Sequence, residues 1–177
     1  MFRKLWLSIL GAVAVTISLS GCTNYPSFEQ LPFDSGDSTI NSLAAEMEPQ
    51  FNGRYIVFTS DRRGRQGIYV YDVIQKLLID VPGLNGFDTI NSHPSISQDG
   101  RYIVFATVRQ GKSAIALYDR QTSQIRNITA NLPGDVRNPT ISADGNTIAF
   151  ESSRKGQWDI LVSNRFGQPL DVPTDPR

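Results

Sequence analysis

The chain has 177 residues, room for about one domain, and its 17 basic side chains are balanced by 17 acidic ones. Zero net charge argues against nucleic acid as a partner, because that role needs a basic stripe to displace counterions. With 40% hydrophobic residues the chain is too apolar for a disordered tail and can pack a core.

In chain order, residues 1–21 read as an export signal. Arg3 and Lys4 give a positive start, and Leu5 to Leu19 form an apolar stretch too short for a permanent bilayer-spanning helix, which needs about 20 residues. The stretch runs into Leu19-Ser20-Gly21-Cys22, which resembles the lipobox of bacterial lipoproteins at every position. That resemblance implies cleavage before Cys22, a diacylglycerol on its thiol, and an acylated new amino terminus. Two or three acyl chains hold a protein stably to a membrane, at about 0.8 kcal/mol per buried CH₂. Cys22 is the sole cysteine, so no thiol remains for a disulfide and the exported domain must be stable through its core. Thr23 follows, where the sorting rule for such lipoproteins reads Asp as inner-membrane retention; the resemblance therefore implies the outer membrane, facing the periplasm. Residues 22–45, rich in Ser, Asp, Asn, Gly and Pro, are expected to form the lipidated terminus and a tether.

Beyond residue 45 one unit is written three times: "QFNGRYIVFTSDRRGRQGIYVYD" from Gln50, "SQDGRYIVFATVRQGKSAIALYD" from Ser97 and "SADGNTIAFESSRKGQWDILVSN" from Ser142. Aligned on Gly53, Gly100 and Gly145, the periods are 47 and 45 residues, and no gap is needed as far as Asp72, Asp119 and Asn164. Such a period predicts propeller blades or an array. Each unit reads as four strands, giving an all-β domain at 46–177 with blades at about 46–90, 91–135 and 136–177. Asp99-Gly100 and Asp144-Gly145 suit tight turns, the glycine taking positive φ and the carboxylate accepting turn hydrogen bonds. The next strand (Tyr55 to Phe58 and its equivalents) is apolar at every position, so both of its faces should be covered. Fourth strands are expected at 76–81, 124–129 and 168–172. Asp72, Asp119 and Asn164 are expected to cap the turn that follows them.

The pattern Pro-x-x-Ser-x-Asp-Gly-(Arg/Asn)-x-Ile-(Val/Ala)-Phe, with a following Arg-x-Gly turn and Ile-x-(Leu/Val) strand, resembles the WD-repeat-like blade of the TolB family of periplasmic β-propellers. It occurs in Pro94 to Phe105 and Pro139 to Phe150, and more loosely in Met47 to Phe58, where Met47 and Gln50 stand for the Pro and Ser. The resemblance spans about 130 residues and implies a blade fold; such blades carry many functions. The family also has an amino-terminal α/β domain and a six-bladed ring, for which this chain has no room. The ending "QPLDVPTDPR" echoes "KLLIDVPG" of blade one, so the third blade is expected to be whole. Propellers close with about four to eight blades, and an uncovered blade face of several hundred Å² would be unusual for a monomer. Two arrangements remain open: a homodimer closing a six-bladed ring, or an open three-blade wedge shielded by tether or membrane.

Chemistry is sparse. There is no Gly-x-Ser-x-Gly elbow, and His93, the single histidine, has no second His or Cys nearby for a metal site. A structural role is expected for it, with Asn138 its counterpart in the next unit. No catalytic residue, metal or cofactor is assigned. Arg62, Arg109 and Arg154 sit in equivalent turns and could form a basic arc for an acidic partner, or could instead bond neighbouring carboxylates. The sequon Asn127-Ile128-Thr129 is discounted, since bacterial lipoproteins do not generally use that glycosylation route. The leading expectation is a non-enzymatic envelope lipoprotein offering a propeller surface to a protein partner, and the family resemblance implies a Tol-Pal-type system as its setting. A carbohydrate- or peptidoglycan-binding module is the alternative.

Overall fold

The computed structural model describes residues 39–172. The signal peptide, Cys22 and the tether up to residue 38 lie outside the described residues. Within them the chain is all-β, with three antiparallel sheets and no helix. The first sheet is β1 (Glu46–Phe51), β2 (Tyr55–Ser60), β3 (Gly67–Asp72) and β4 (Leu77–Ile79), side by side in that order. The second repeats it as β5 (Thr89–Ile96), β6 (Tyr102–Arg109), β7 (Lys112–Asp119) and β8 (Gln124–Asn127). The third has β9 (Val136–Ile141), β10 (Thr147–Ser152) and β11 (Asp159–Asn164). Each sheet is a meander in which every strand pairs with its sequence neighbour, the pattern of a propeller blade.

The fourth strand expected at 168–172 is reduced to a single bridge between Ser163 and Pro169, with Leu170 N donating to Val162 O at 2.9 Å. Pro169 has no N–H to give a ladder, which restricts proline to strand margins. The turns follow their sequence logic. Asp99 Oδ1 accepts from Arg101 N at 2.9 Å, and Asp72 Oδ1 from Ile74 N and Gln75 N at 2.9 and 3.0 Å. Asp119 accepts from Gln121 N, and Asn164 from Phe166 N and Gln168 N.

The register of the innermost strands corrects the alignment of blade one. Opposite β2, the pairs Met47–Thr59 and Gln50–Val57 bracket a bulge at Glu48-Pro49; opposite β6, Ser92–Ala106 and Ser95–Val104 bracket one at His93-Pro94. Pro49, not Met47, is therefore the counterpart of Pro94 and Pro139, and Gln50 matches Ser95. The reason is local: the turn joining β1 to β2 is two residues shorter than its equivalent after β5, so an alignment anchored on the turn glycine slips by two in the preceding strand.

The core lies between blades. In each blade alternate residues face the blade before (the leading face) and the blade after (the trailing face). The trailing Val57, Ile68 and Val70 of blade one pack on the leading Ile103, Phe105, Ala116 and Tyr118 of blade two. Blade two's trailing Tyr102, Val104, Ala106, Ile115 and Leu117 pack on Val136, Ile148 and Phe150 of blade three. This is why β6 is apolar at successive positions: both of its faces are dry.

A repeated latch strengthens the two junctions. The Tyr55 ring lies between Arg54 of its own blade and Arg120 of the next, 4.9 and 4.6 Å from the guanidinium carbons; Tyr102 lies likewise between Arg101 and Arg165, at 4.9 and 5.3 Å. Each ring rests on the next blade's Asp-Gly turn. A Cβ on Gly145 would come within 2.6 Å of the Tyr102 ring, and one on Gly100 would collide with Tyr55, so both turns need glycine for close approach as well as for their positive φ.

Candidate functional site

Three equivalent residues share an uncommon conformation. Glu48, His93 and Asn138 have φ of 55°, 49° and 50°, each sits in a bulge of its inner strand, and each precedes a proline. Proline disfavours the right-handed helical region for the residue before it, and the bulge turns that residue out of the pleat. Positive φ in a non-glycine residue costs of order 1 kcal/mol or more, and such strain clusters at functional positions.

Each polar group of this row has a charged or hydrogen-bonding partner, Glu48 and His93 in each other and Asn138 in Glu151. Glu48 Oε1 lies 3.1 Å from His93 Nε2, while Glu48 Oε2 accepts from His93 N at 2.6 Å and from Thr59 Oγ1 at 2.9 Å. One carboxylate of blade one thereby grips both backbone and ring of blade two. On blade three, Glu151 accepts from Asn138 Nδ2 at 2.9 Å and from Arg137 Nε at 2.6 Å. The Asn138 bond first, then Arg137, and weakly the nearby His93, hold the Glu151 carboxyl below the usual carboxylate range. His93 remains about half exposed. The row can accept and donate hydrogen bonds and present fixed charge. Among the described residues no three His, Cys, Asp or Glu side chains are placed to hold a metal ion.

His93 and Asn138 were paired by sequence; Glu48 and Glu151 were not. The signal available was the dipeptide series Glu48-Pro49, His93-Pro94, Asn138-Pro139 at an even spacing of 45, hidden by anchoring the repeat on its glycines.

The three turn arginines differ in situation. Arg62 has a side chain only 2% exposed; its guanidinium pairs with Glu46 at 2.9 Å, donates to the carbonyls of Thr39 and Ile40, and lies over the Phe58 and Tyr69 rings on blade one's leading face. It is part of the fold. Arg109 pairs with Asp88 at 2.6 Å on an exposed rim, and Arg154 is exposed in the β10–β11 turn. Sequence equivalence does not carry over to equivalent guanidinium positions, so the arc is not continuous at Arg62. Arg109 instead helps line a groove of about 1000 Å³, together with Asn91, Thr107, Ala114 and Asn127.

Solved structures share the fold that carries these residues. TolB from Acinetobacter baumannii matches with a TM-score of 0.59 at 22% identity over 76% of this chain and 34% of that one. A TolB-type protein of Agrobacterium tumefaciens matches at 0.61, with 20% identity over 79% of this chain and 50% of that one. The chain has a TolB-like β-propeller fold. The TolB-like blades are also similar to the β-propeller domain of the Trilobed protease from Pyrococcus furiosus, at a TM-score of 0.55 and 14% identity over 76% of this chain and 44% of that one. The chain spans about a third to a half of the length of these proteins, so the TolB-like part is a partial propeller. No family model and no curated protein matches the sequence.

Proposed function

We propose that this protein is a non-enzymatic lipoprotein of the bacterial cell envelope, held by lipid on Cys22 at the periplasmic face of the outer membrane, whose TolB-like blades engage a protein partner. The observation that carries the reading is the bulge row. It sets out a carboxylate, an imidazole and an amide in strained backbone positions, Glu48 bonded to His93 and Asn138 to Glu151, partly open to solvent and able to recognise a polar partner. Arg109 and Arg154 extend the polar surface at the β6–β7 and β10–β11 turns. By the resemblance to TolB, a Tol-Pal-type system is the first place to look for the partner.

The test is cross-linking of the lipidated protein in intact envelopes, wild type against His93→Ala and Glu48→Gln. A discrete cross-linked partner lost in both variants while the fold is retained supports the reading; a cross-linking pattern indifferent to both removes it. Cys22→Ser is expected to move the protein from the membrane to the soluble fraction. A second reading, a carbohydrate- or peptidoglycan-binding module, is favoured by the groove at Arg109, whose Thr107, Asn127 and Arg109 side chains are of the kinds that hydrogen-bond sugar hydroxyls. Retention of the protein on purified cell wall, abolished by Arg109→Ala, would select it.

A further inference from the structure

The two junctions between blades share the tyrosine latch and differ beside it. At the first, the buried Tyr118 ring of blade two fills the interior, its hydroxyl donates to Pro82 O at 2.9 Å, and Ile79 and Val81 pack against the same cluster. The strand register identifies the counterparts at the second junction. Ser163 pairs with Ile148 as Tyr118 pairs with Ile103, and Arg126 pairs with Leu117 as Ile79 pairs with Val70. A large ring is replaced by a small side chain, and an apolar one by a guanidinium. This junction holds a recess of about 270 Å³ bordered by Arg101, Tyr102, Leu117, Arg126, Arg165 and Phe166. The buried Ser163 hydroxyl at the same junction has no hydrogen-bond partner among the described residues.

The turn after β11 builds one wall of the recess. A Cβ on Gly167, at φ 84°, would come within 2.5 Å of Ile128 O, so glycine is needed for the turn to sit this close to blade two. Phe166 is thereby brought beside β8, where Arg126 and Arg165 both lie over its ring, at 5.2 and 5.1 Å. Of the three guanidiniums, Arg101 is taken by Asp119 at 2.8 Å. Arg165 donates to the Tyr102 hydroxyl at 3.3 Å, and among the described residues neither it nor Arg126 has a carboxylate partner. Positive charge is in excess beside an aromatic ring. The planar guanidinium fork matches a carboxylate, and the recess falls below the roughly 300–1,000 Å³ of pockets for drug-sized ligands. A recess of that size admits one side chain of an extended segment, which favours a peptide over the flat surface of a membrane.

We propose that the recess between blades two and three binds an aspartate or glutamate side chain of a protein partner, its carboxylate held by Arg126 and Arg165 and a neighbouring apolar residue packed on Phe166. The residues are not those of the bulge row, so the site stands whether or not that row makes the contact proposed for it. The test is fluorescence anisotropy on the full lipidated chain in neutral detergent. The probe is a labelled peptide of glutamate and leucine, acetylated and amidated at its ends so that its only carboxylates are side chains, against the same peptide with glutamine for glutamate. Binding of the glutamate peptide alone, weakened about tenfold or more by Arg126→Gln and by Arg165→Gln as expected for loss of a charge-assisted hydrogen bond, supports the proposal. Lys155→Gln removes the same charge from the exposed β10–β11 turn and should leave binding unchanged. Arg126 is exposed, so its variant should keep the wild-type melting temperature and carries the test by itself. No binding, equal binding of the glutamine peptide, or binding indifferent to Arg126→Gln overturns the proposal. Loss of the peptide on adding phosphatidylglycerol to the micelles also overturns it, in favour of an anionic lipid headgroup.

Discussion

Blades two and three repeat one pattern with different trailing faces: blade two's is covered by blade three, and no described blade covers blade three's. Tyr102, Val104 and Ala106 on blade two become Thr147, Ala149 and Glu151 on blade three. The latch disappears with them: Arg101 and Asp119, joined at 2.8 Å, are replaced by Asn146 and Asn164. The leading faces keep their character, since Ile103 and Phe105 are matched by Ile148 and Phe150, all buried. On β10 the trailing positions with no described blade over them carry polar or smaller side chains, which lowers the cost of exposed apolar area, while Ile160 on β11 keeps the residue of its buried equivalents.

The comparison is most sharply broken at a covered position. Phe105→Ala is expected to cost about 3–5 kcal/mol by the loss of burial and the cavity left behind, read as a lowered midpoint in urea unfolding; a change under about 1 kcal/mol would mean that the two junctions do not bear the core. Next comes the latch. Gly145→Ala adds a collision with Tyr102 to the strain of φ +73°, whereas Gly111→Ala, at φ +75° with open space around it, meets the strain alone. The first is expected to exceed the second, itself about 1 kcal/mol, and equal losses would show that the tyrosine does not press on the turn.

Acid separates the blades more gently. The Arg101 hydrogen bond holds the Asp119 carboxyl below its ordinary value, so this group stabilises the native state above the unfolded-state pKa of about 4 and the stability is lost as pH falls through the lowered native value. Blade three has amides, Asn146 and Asn164, at the matching places, so this ion pair has no counterpart there. Asp119→Asn should therefore flatten the fall in melting temperature below about pH 4, and an unaltered slope would count against the ion pair. Smallest of all, Ile160→Ala is expected to change the unfolding free energy by no more than about 0.5 kcal/mol, against the several expected at Phe105.

Much of the fold was legible because a repeat states its own environment. An unbroken apolar run at Tyr55 to Phe58 and its equivalents announces two dry faces, and Asp-Gly turns announce tight reversals. The fourth strand of blade three was overread because "QPLDVP" resembles its counterpart in blade one while Pro169 removes a donor. Glu48 was missed at the bulge row because the shorter turn after β1 shifts that strand by two residues, which a turn-anchored alignment does not register. Arg62, Arg109 and Arg154 are alike in sequence; only at Arg62 are Glu46, Phe58 and Tyr69 within reach, a fact of the folded neighbourhood.

By itself the sequence determined the all-β class, the three-fold repeat, the turns and the alternation that makes each sheet two-sided, because these depend on residues close together along the chain. Which face meets which, where tyrosine comes to rest on a distant glycine, and which polar residues gather at the bulges were decided only in the tertiary structure. Those contacts join residues about 45 positions apart, and their geometry is set by the stacking of whole blades rather than by any local preference.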